Sequence, residues 1–470
     1  MKRNRFLLKA TTALVIALTA LPVISHAEAY DPNDDYQQLD VKFYENQKPD
    51  QGFYINAAAN YVLETVGNPT VGSVGGEWSV MDLARGAYTG YDYVNKLNGS
   101  SFNSTYLSNL NDYVTSVNGN LSSTKSTEYS RVILALSALK KDAHHVTLEN
   151  YDFINRLEES FKFSYKQGIN GPIWELIALN TADYEFSGGL TGDDVNTKGK
   201  MLDYILNKEL SNGGWALFGT ATDPDITGMA LQALAPYYNH LADYEATGAT
   251  IPYGTFMGKV ERAVLALANI QADNGGYNAW GNVNAESTVQ VVVALTELNM
   301  NPKATAISLP TIGETAYFND TTATQDGVTT GNMIDALYTF FAPGSGIAKE
   351  SAGFKHVTTG YDGGGGSGAG VNAMATDQAL YGLIAYDRYK NGENALYDMT
   401  DAQENYTAKQ FSLTYVENGN STTEHYSPYA AVNLKDTIER WNTKADGTGT
   451  SYLATDTLSM PEENITLYAE

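Results

Sequence analysis

The 470-residue chain contains no cysteine. That absence removes thiol nucleophiles, thiolate metal sites, thioesters and disulfides from consideration. An exported eukaryotic protein of this size usually carries disulfides. The absence therefore points to export from a bacterium without an oxidising periplasm. Cations are scarce as well. There are 29 Lys and Arg against 54 Asp and Glu, a formal charge of −25. Such a chain repels nucleic acid and anionic membrane, and neither is expected as a partner. Long apolar runs are missing, with one exception at the start. Lys2, Arg3, Arg5 and Lys9 precede an apolar run from Ala13 to Ile24, and Ser25 and Ala27 are small residues where a signal peptidase reads. The run is shorter than the roughly 20 apolar residues of a spanning helix. Residues 1–27 read as a secretory signal peptide. Its removal takes away four cations and no acids, moving the charge from −25 to −29. The expected location is secreted or at the cell surface, with no membrane span after cleavage.

What is present is a hydrophobic fraction of 43%, enough for a sizeable core. Residues 28–51 are polar, contain "DPNDD", and read as a linker. From residue 52 to residue 401, Ala, Leu, Val and Tyr recur at helical spacing between glycine-rich turns. One pattern repeats: aliphatic, any residue, Ala, then Leu or Tyr. It occurs at Leu136, Leu176, Leu231, Val292, Ile334 and Leu383, copies 40 to 61 residues apart, with a divergent copy near Met81. Several copies follow a glycine-aromatic turn: "GGEW" ending at Trp78, "NGPIW" at Trp174, "NGGW" at Trp215 and "NGGYNAW" with Tyr277 and Trp280. Amphipathic stretches such as "GKVERAVLALANIQ" lie between the copies and suit an outer layer. The unit is a helix pair. Six pairs imply an open solenoid or a closed α/α toroid.

The Gly-Gly-Trp turns and alanine-rich inner helices resemble the prenyltransferase/squalene-cyclase repeat superfamily, from about Tyr54 to Arg388. The stretches "GGWALFGTATDPDITGMALQALAPYY", "NAESTVQVVVALTELN" and "MATDQALYGLIAYDRYKNGENALYDM" most resemble secreted bacterial surface proteins with this domain. The resemblance implies an α/α six-barrel toroid, with inner helices around a central cavity and outer helices wrapping them. The superfamily includes terpenoid cyclases, protein prenyltransferase β-subunits and cobalamin carriers of the intrinsic factor type. A fold with so many activities does not assign one.

Residues 402–410 read as a second linker. Residues 411–470 alternate short β-type runs with turn residues. Trp441-Asn442-Thr443, Gly447, Gly449, Met460-Pro461 and Leu467-Tyr468-Ala469 carry a resemblance to the Listeria–Bacteroides (internalin B-type) repeat, a small β-rich surface module. Glu439-Arg440 depart from it, standing where that repeat usually has a glycine.

The acids repeat with the helices. Eight residues before the alanines Ala233, Ala294 and Ala385 stand Asp225, Glu286 and Asp377, each in the first turn of its predicted helix. Glu128 and Asp326 lie ten before theirs. One reading is capping, because a carboxylate at a helix start accepts free N–H groups and meets the positive dipole end. Thr227 and Thr288 would add first-turn hydrogen bonds. The other reading is a site. In a toroid the inner-helix starts open at one mouth, and Trp215, Tyr277 and Trp280 would make that mouth acidic and aromatic. Such a lining suits a sugar, a cation, a peptide or another small molecule. Capping does not exclude it.

Asp223-Pro224-Asp225-Ile226-Thr227 resembles the Asp-x-Asp-Asp-Thr acid of type II terpenoid cyclases. Ile226 replaces the second acid of the adjacent pair, the partner that would help polarise and orient the proton donor. Prenyl transfer to protein needs a zinc-bound thiolate, which this chain lacks. His144-His145 has no metal-ligand spacing and reads as a surface helix end. The glycine-rich run at 360–370 has no lysine and reads as a lip over the mouth, not a phosphate loop. The expectation is mainly α: an α/α six-barrel toroid followed by a β-rich module. It binds an extracellular glycan, peptide or small molecule, in association with the cell wall. The candidate ligand-binding residues are Trp215, Asp223, Asp225, Thr227, Tyr277, Trp280, Glu286 and Asp377. No cofactor or metal is expected. The alternatives are a polysaccharide lyase or glycoside hydrolase on the same toroid, a cobalamin-type carrier, or a terpenoid cyclase-like enzyme.

Overall fold

The computed structural model describes residues 50–470, apart from 148, 280, 320–322, 326–327 and 361–368. The expected signal peptide, nearly all of the expected first linker, Trp280, Asp326 and most of the glycine-rich run at 360–370 lie outside the described residues. The described chain is mainly helical, with a small β-rich region at its C-terminal end.

Apolar helices rich in small residues form an inner set. They are α1 (Trp78–Gly86), α2 (Thr127–Ala138), α3 (Asn170–Asn180), α4 (Pro224–Leu234), α5 (Ala285–Glu297) and α6 (Ala373–Asn391). Each packs on the next, and α6 packs on α1, so the contacts run in a cycle. Small side chains make the close approaches. A Cβ on Gly228 of α4 would stand 2.7 Å from the Gln290 carbonyl oxygen of α5, nearer than real contacts allow. The run Val291–Leu295 of α5 is fully buried, as a helix with neighbours on every side must be.

A second set of helices backs the first. Phe153–Glu158 packs on α2, Lys198–Leu206 on α3, Tyr253–Ile270 on α4, Met333–Tyr338 on α5 and Gln51–Thr65 on α6. The repeat copy at Ile334 therefore lies on a backing helix, while the divergent copy near Met81 lies on inner α1. The aliphatic-x-Ala-Leu pattern reports burial against close neighbours, and both layers supply that.

Short hairpins interrupt the helices, pairing Tyr277–Asn278 with Val283–Asn284, Ala306–Leu309 with Glu314–Tyr317, and Ala323–Gln325 with Val328–Thr330. The C-terminal region contains β1 (Phe411–Glu417), β2 (Asn420–Tyr426), β3 (Ala431–Asn433), β4 (Arg440–Asn442), β5 (Ser451–Leu453), β6 (Thr457–Ser459) and β7 (Ile465–Ala469). The main sheet runs β5-β4-β7-β1-β2, and β3 pairs with β6. Asn418-Gly419, both at positive φ, turn β1 into β2 as a tight hairpin requires. Trp441 is fully buried beneath this sheet and donates its Nε1–H to the Lys435 carbonyl at 2.8 Å.

The β region is docked on the helices. Tyr429 donates its hydroxyl to Asp50 at 2.7 Å and Glu462 at 3.1 Å, and its ring meets Tyr91 edge-on at 4.8 Å. Asp92 N–H bonds the Pro428 carbonyl at 3.0 Å. Residues 402–410 also lie along the helices: Lys409 N–H bonds the Gly90 carbonyl at 2.9 Å, and Asn98 donates to the Tyr406 carbonyl at 2.9 Å.

Candidate functional site

The helix starts divide their duties. The α4 cap is Asp223, whose Oδ1 accepts from Asp225 N–H at 2.8 Å and Ile226 N–H at 3.1 Å. Asn284 caps α5 through Ser287 N–H at 2.8 Å, and Asn372 caps α6 through Ala375 N–H at 2.8 Å. An Asp or Asn side chain just outside each helix does what capping requires. The repeated acids Asp225, Glu286 and Asp377 stand further in and are not the caps.

The glycine-aromatic turns have a structural duty. Trp215 and Tyr277 are fully buried, not exposed at a rim. Trp215 Nε1–H donates to the Ile205 carbonyl at 2.8 Å. Its backbone N–H bonds Thr227 Oγ1 at 2.9 Å. The same clamp joins Tyr277 N–H to Thr288 Oγ1 at 3.1 Å and Phe354 N–H to Thr376 Oγ1 at 2.9 Å. Gly214, at φ +74°, precedes Trp215, and a Cβ there would meet Thr227 at 2.8 Å. Thr227, Thr288 and Thr376 thus tie each turn to its inner helix.

With capping and turn-holding assigned elsewhere, the acids have other surroundings. Asp225 Oδ1 is buried without a hydrogen-bond partner. Burial, then the charge of Asp223, pushes the Asp225 carboxyl from 3.8 up to about 7, against a hydrogen bond from Ser287. Glu286 and His356 also act on it. Glu286 Oε2 lies 2.6 Å from His356 Nδ1, both side chains being buried, and its Oε1 has no hydrogen-bond partner. Asp377 accepts from Ser79 Oγ at 3.0 Å, and burial raises its carboxyl from 3.8 to about 7.

Tyr381 of α6 joins these groups. Its hydroxyl accepts from Gln290 Nε2 at 2.6 Å and donates to Gln378 at 3.0 Å. Gln290 in turn accepts from Gln232 Nε2 at 3.0 Å, so a polar chain crosses from α4 through α5 to α6. Asp82, Glu286 and Asp225 all raise the Tyr381 hydroxyl after burial itself. Asp225 and Glu286 therefore act on one buried polar group, the Tyr381 hydroxyl, while Asp377 is tied to Ser79 and acts on Asp82. Trp215, Tyr277 and Thr227 hold the turns, and Asp223 caps the helix that carries Asp225.

Sequence reading passed over Asp82, Trp78 as a lining ring, Tyr381 and His356. Asp82 lies in the helix of the divergent copy near Met81 and does not share the spacing of Asp225, Glu286 and Asp377. His144 and His145 lie in turns beyond α2, beside Asp152 at 3.1 Å and Asp142 at 2.8 Å. Glu128 pairs with Arg131 at 2.6 Å.

A surface cleft of about 280 Å³ lies elsewhere, lined by Glu64, Lys96, Phe102 and neighbours. Its charged groups are already engaged, Lys96 with Glu350 and Glu64 with Ser351 and the Ile347 N–H. The interior acids, with unpartnered oxygens, are the stronger candidates. Among the described residues no cluster of His, Asp and Glu is arranged to hold a metal ion, and no helix is long and apolar enough to cross a membrane.

No protein-family model matches the chain, and no curated protein matches it. Among solved structures it is similar to haptocorrin in complex with Cbi, at 10% identity and a TM-score of 0.40, covering 89% of this chain and 96% of that one.

Proposed function

We propose that the chain is an exported protein, secreted or held at the bacterial surface, whose inner helices close an α/α toroid around a ligand-binding interior. The cyclic packing of α1 to α6 supports the toroid. The binding reading is carried by one observation: Asp225 and Glu286 keep buried carboxyl oxygens without protein partners beside Tyr381. Buried polar groups are normally satisfied, and a ligand's donors would satisfy these. The ligand classes that suit are a glycan, a peptide or a small molecule. The Listeria–Bacteroides-like region at 411–470 presents the helical part or contacts the cell wall.

A glycan array, a peptide panel and a corrinoid titration of the purified chain test this reading. Binding that weakens in Asp225→Asn supports it. No binding in any of the three overturns it.

A second reading, a polysaccharide lyase or glycoside hydrolase, draws on the same acid. A carboxyl raised to about 7 is suited to give a proton near neutral pH. New reducing or unsaturated ends from a polysaccharide panel, lost in Asp225→Asn, would favour it over static binding.

A further inference from the structure

Asp82 lies on α1, one helical turn beyond Trp78. It is fully buried, and neither carboxyl oxygen has a hydrogen-bond partner. Among the described residues no cation compensates it. On the elements packed against α1, Arg131 pairs with Glu77 and Glu128, Arg388 with Asp401, and Lys390 reaches the Gln51 amide. Of the acids there, Glu64 bonds Ser351 and Asp387 bonds Tyr88, while Asp377 acts on Asp82 directly. A buried carboxyl left this way is costly in its charged form.

A cluster of aromatic rings includes two tyrosines on which Asp82 acts, Tyr381 and Tyr397. The Trp78 ring lies 5.2 Å from Trp174 and 5.9 Å from Tyr381, and Trp174 lies 6.2 Å from Tyr397. The Tyr397 hydroxyl is also buried without a hydrogen-bond partner. Trp78 is only half-buried, so solvent reaches this end of the set.

We infer that the interior takes an organic cation, an alkylammonium group seated on the faces of Trp78, Trp174 and Tyr381 with the Asp82 carboxyl as its counter-charge. The inference rests on the interior being a binding site and names the ligand class. Ring faces attract cations electrostatically, most strongly where water is excluded, and indoles most of all. A bare metal ion does not suit, because the described residues supply no ligand set for one. Burial, then the charge of Asp377, raises the Asp82 carboxyl well above the ordinary carboxylate range and so favours its protonated form. A cation on the rings favours the carboxylate, and the proton leaves to solvent.

The test is calorimetric titration of the full chain with choline and with its uncharged isostere, 3,3-dimethylbutan-1-ol. Choline binds about tenfold or more tighter than the isostere, and its heat changes between phosphate and Tris buffers because a proton is released. Folded Asp82→Asn loses both the preference and the buffer dependence. Trp78→Leu weakens choline binding. Equal binding of the two probes by the unmodified chain, or a preference that survives in Asp82→Asn, overturns the inference. If a glycan or peptide binds and choline does not, the inference fails and the binding reading stands. If nothing binds, both fall.

Discussion

The Thr227 hydroxyl holds the Trp215 peptide at two points, accepting its N–H at 2.9 Å and donating to its carbonyl at 2.9 Å. The carbonyl has a second donor in Asp223 N–H, at 3.0 Å. Removing the hydroxyl therefore orphans chiefly the buried N–H. Thr227→Val is expected to cost about 1–3 kcal/mol, measured by urea unfolding followed through tryptophan fluorescence. Thr227→Ser keeps the clamp and costs less. Thr288→Val and Thr376→Val should behave alike, since they break the matching bonds to Tyr277 and Phe354.

Asp401 is shared by two buried arginines, Arg85 at 2.5 Å and Arg388. Both guanidinium groups also donate to backbone carbonyls, at Leu396 and Asn394 among others. Asp401→Asn leaves two buried cations without their anion. The expected loss is about 3 kcal/mol, read as a lower unfolding midpoint at unchanged slope. A loss under a few tenths would show that the carbonyls alone compensate the charges.

The interior acids make stability depend on pH, with a definite sign. Asp377 has its carboxyl raised from 3.8 to about 7 by burial, so between about pH 4 and 7 the folded chain holds a proton that the unfolded chain has released. The unfolded state then binds fewer protons, and stability falls as pH rises through that window. Asp225 acts in the same direction. Urea midpoints should decline from pH 4.5 to 7.5. Asp377→Asn should flatten the decline, and Asp225→Asn with it should flatten it further. A midpoint that rises across the window would contradict the assignment.

Gly228 lets α4 and α5 touch. A Cβ there would press on the Gln290 carbonyl at 2.7 Å, a backbone atom that cannot swing away. Gly228→Ala should destabilise by about 1–3 kcal/mol, despite alanine's better helix propensity. A neutral or stabilising result in thermal unfolding would mean that the two helices can separate at little cost.

Much of the helical architecture could be read from the chain because burial against close neighbours leaves a periodic signature. Leu136, Leu176, Leu231, Val292 and Leu383 all fall on inner helices. The same signature misplaced Ile334, since it does not distinguish one buried layer from another. Asp225 and Glu286 were found in the first turns of their helices, Asp377 lies just past the first turn of its own, and the duty of all three was missed. Capping depends on the extended backbone at Asp223, Asn284 and Asn372, and spacing from an alanine does not reveal that conformation. Asp82 was not legible because its partners Asp377, Tyr381 and Tyr397 lie about 300 positions along the chain. The hairpin of Ala306–Leu309 and Glu314–Tyr317 escaped notice because four-residue strands are too short for alternation to stand out.

The Tyr429 hydroxyl, shared between Asp50 and Glu462, has a mechanical consequence. If the β region is the handle by which the chain is tethered, load applied there does not stretch a slack connector. It passes through Tyr429 and the Tyr91 ring to the first turn of Gln51–Thr65, the helix that backs α6. The two parts then turn together in a flow or a pull, as a rigid lever whose interior keeps a fixed angle to the anchoring surface. Tyr429→Ala would loosen that lever, leaving the Asp92–Pro428 and Lys409–Gly90 bonds to hold its angle.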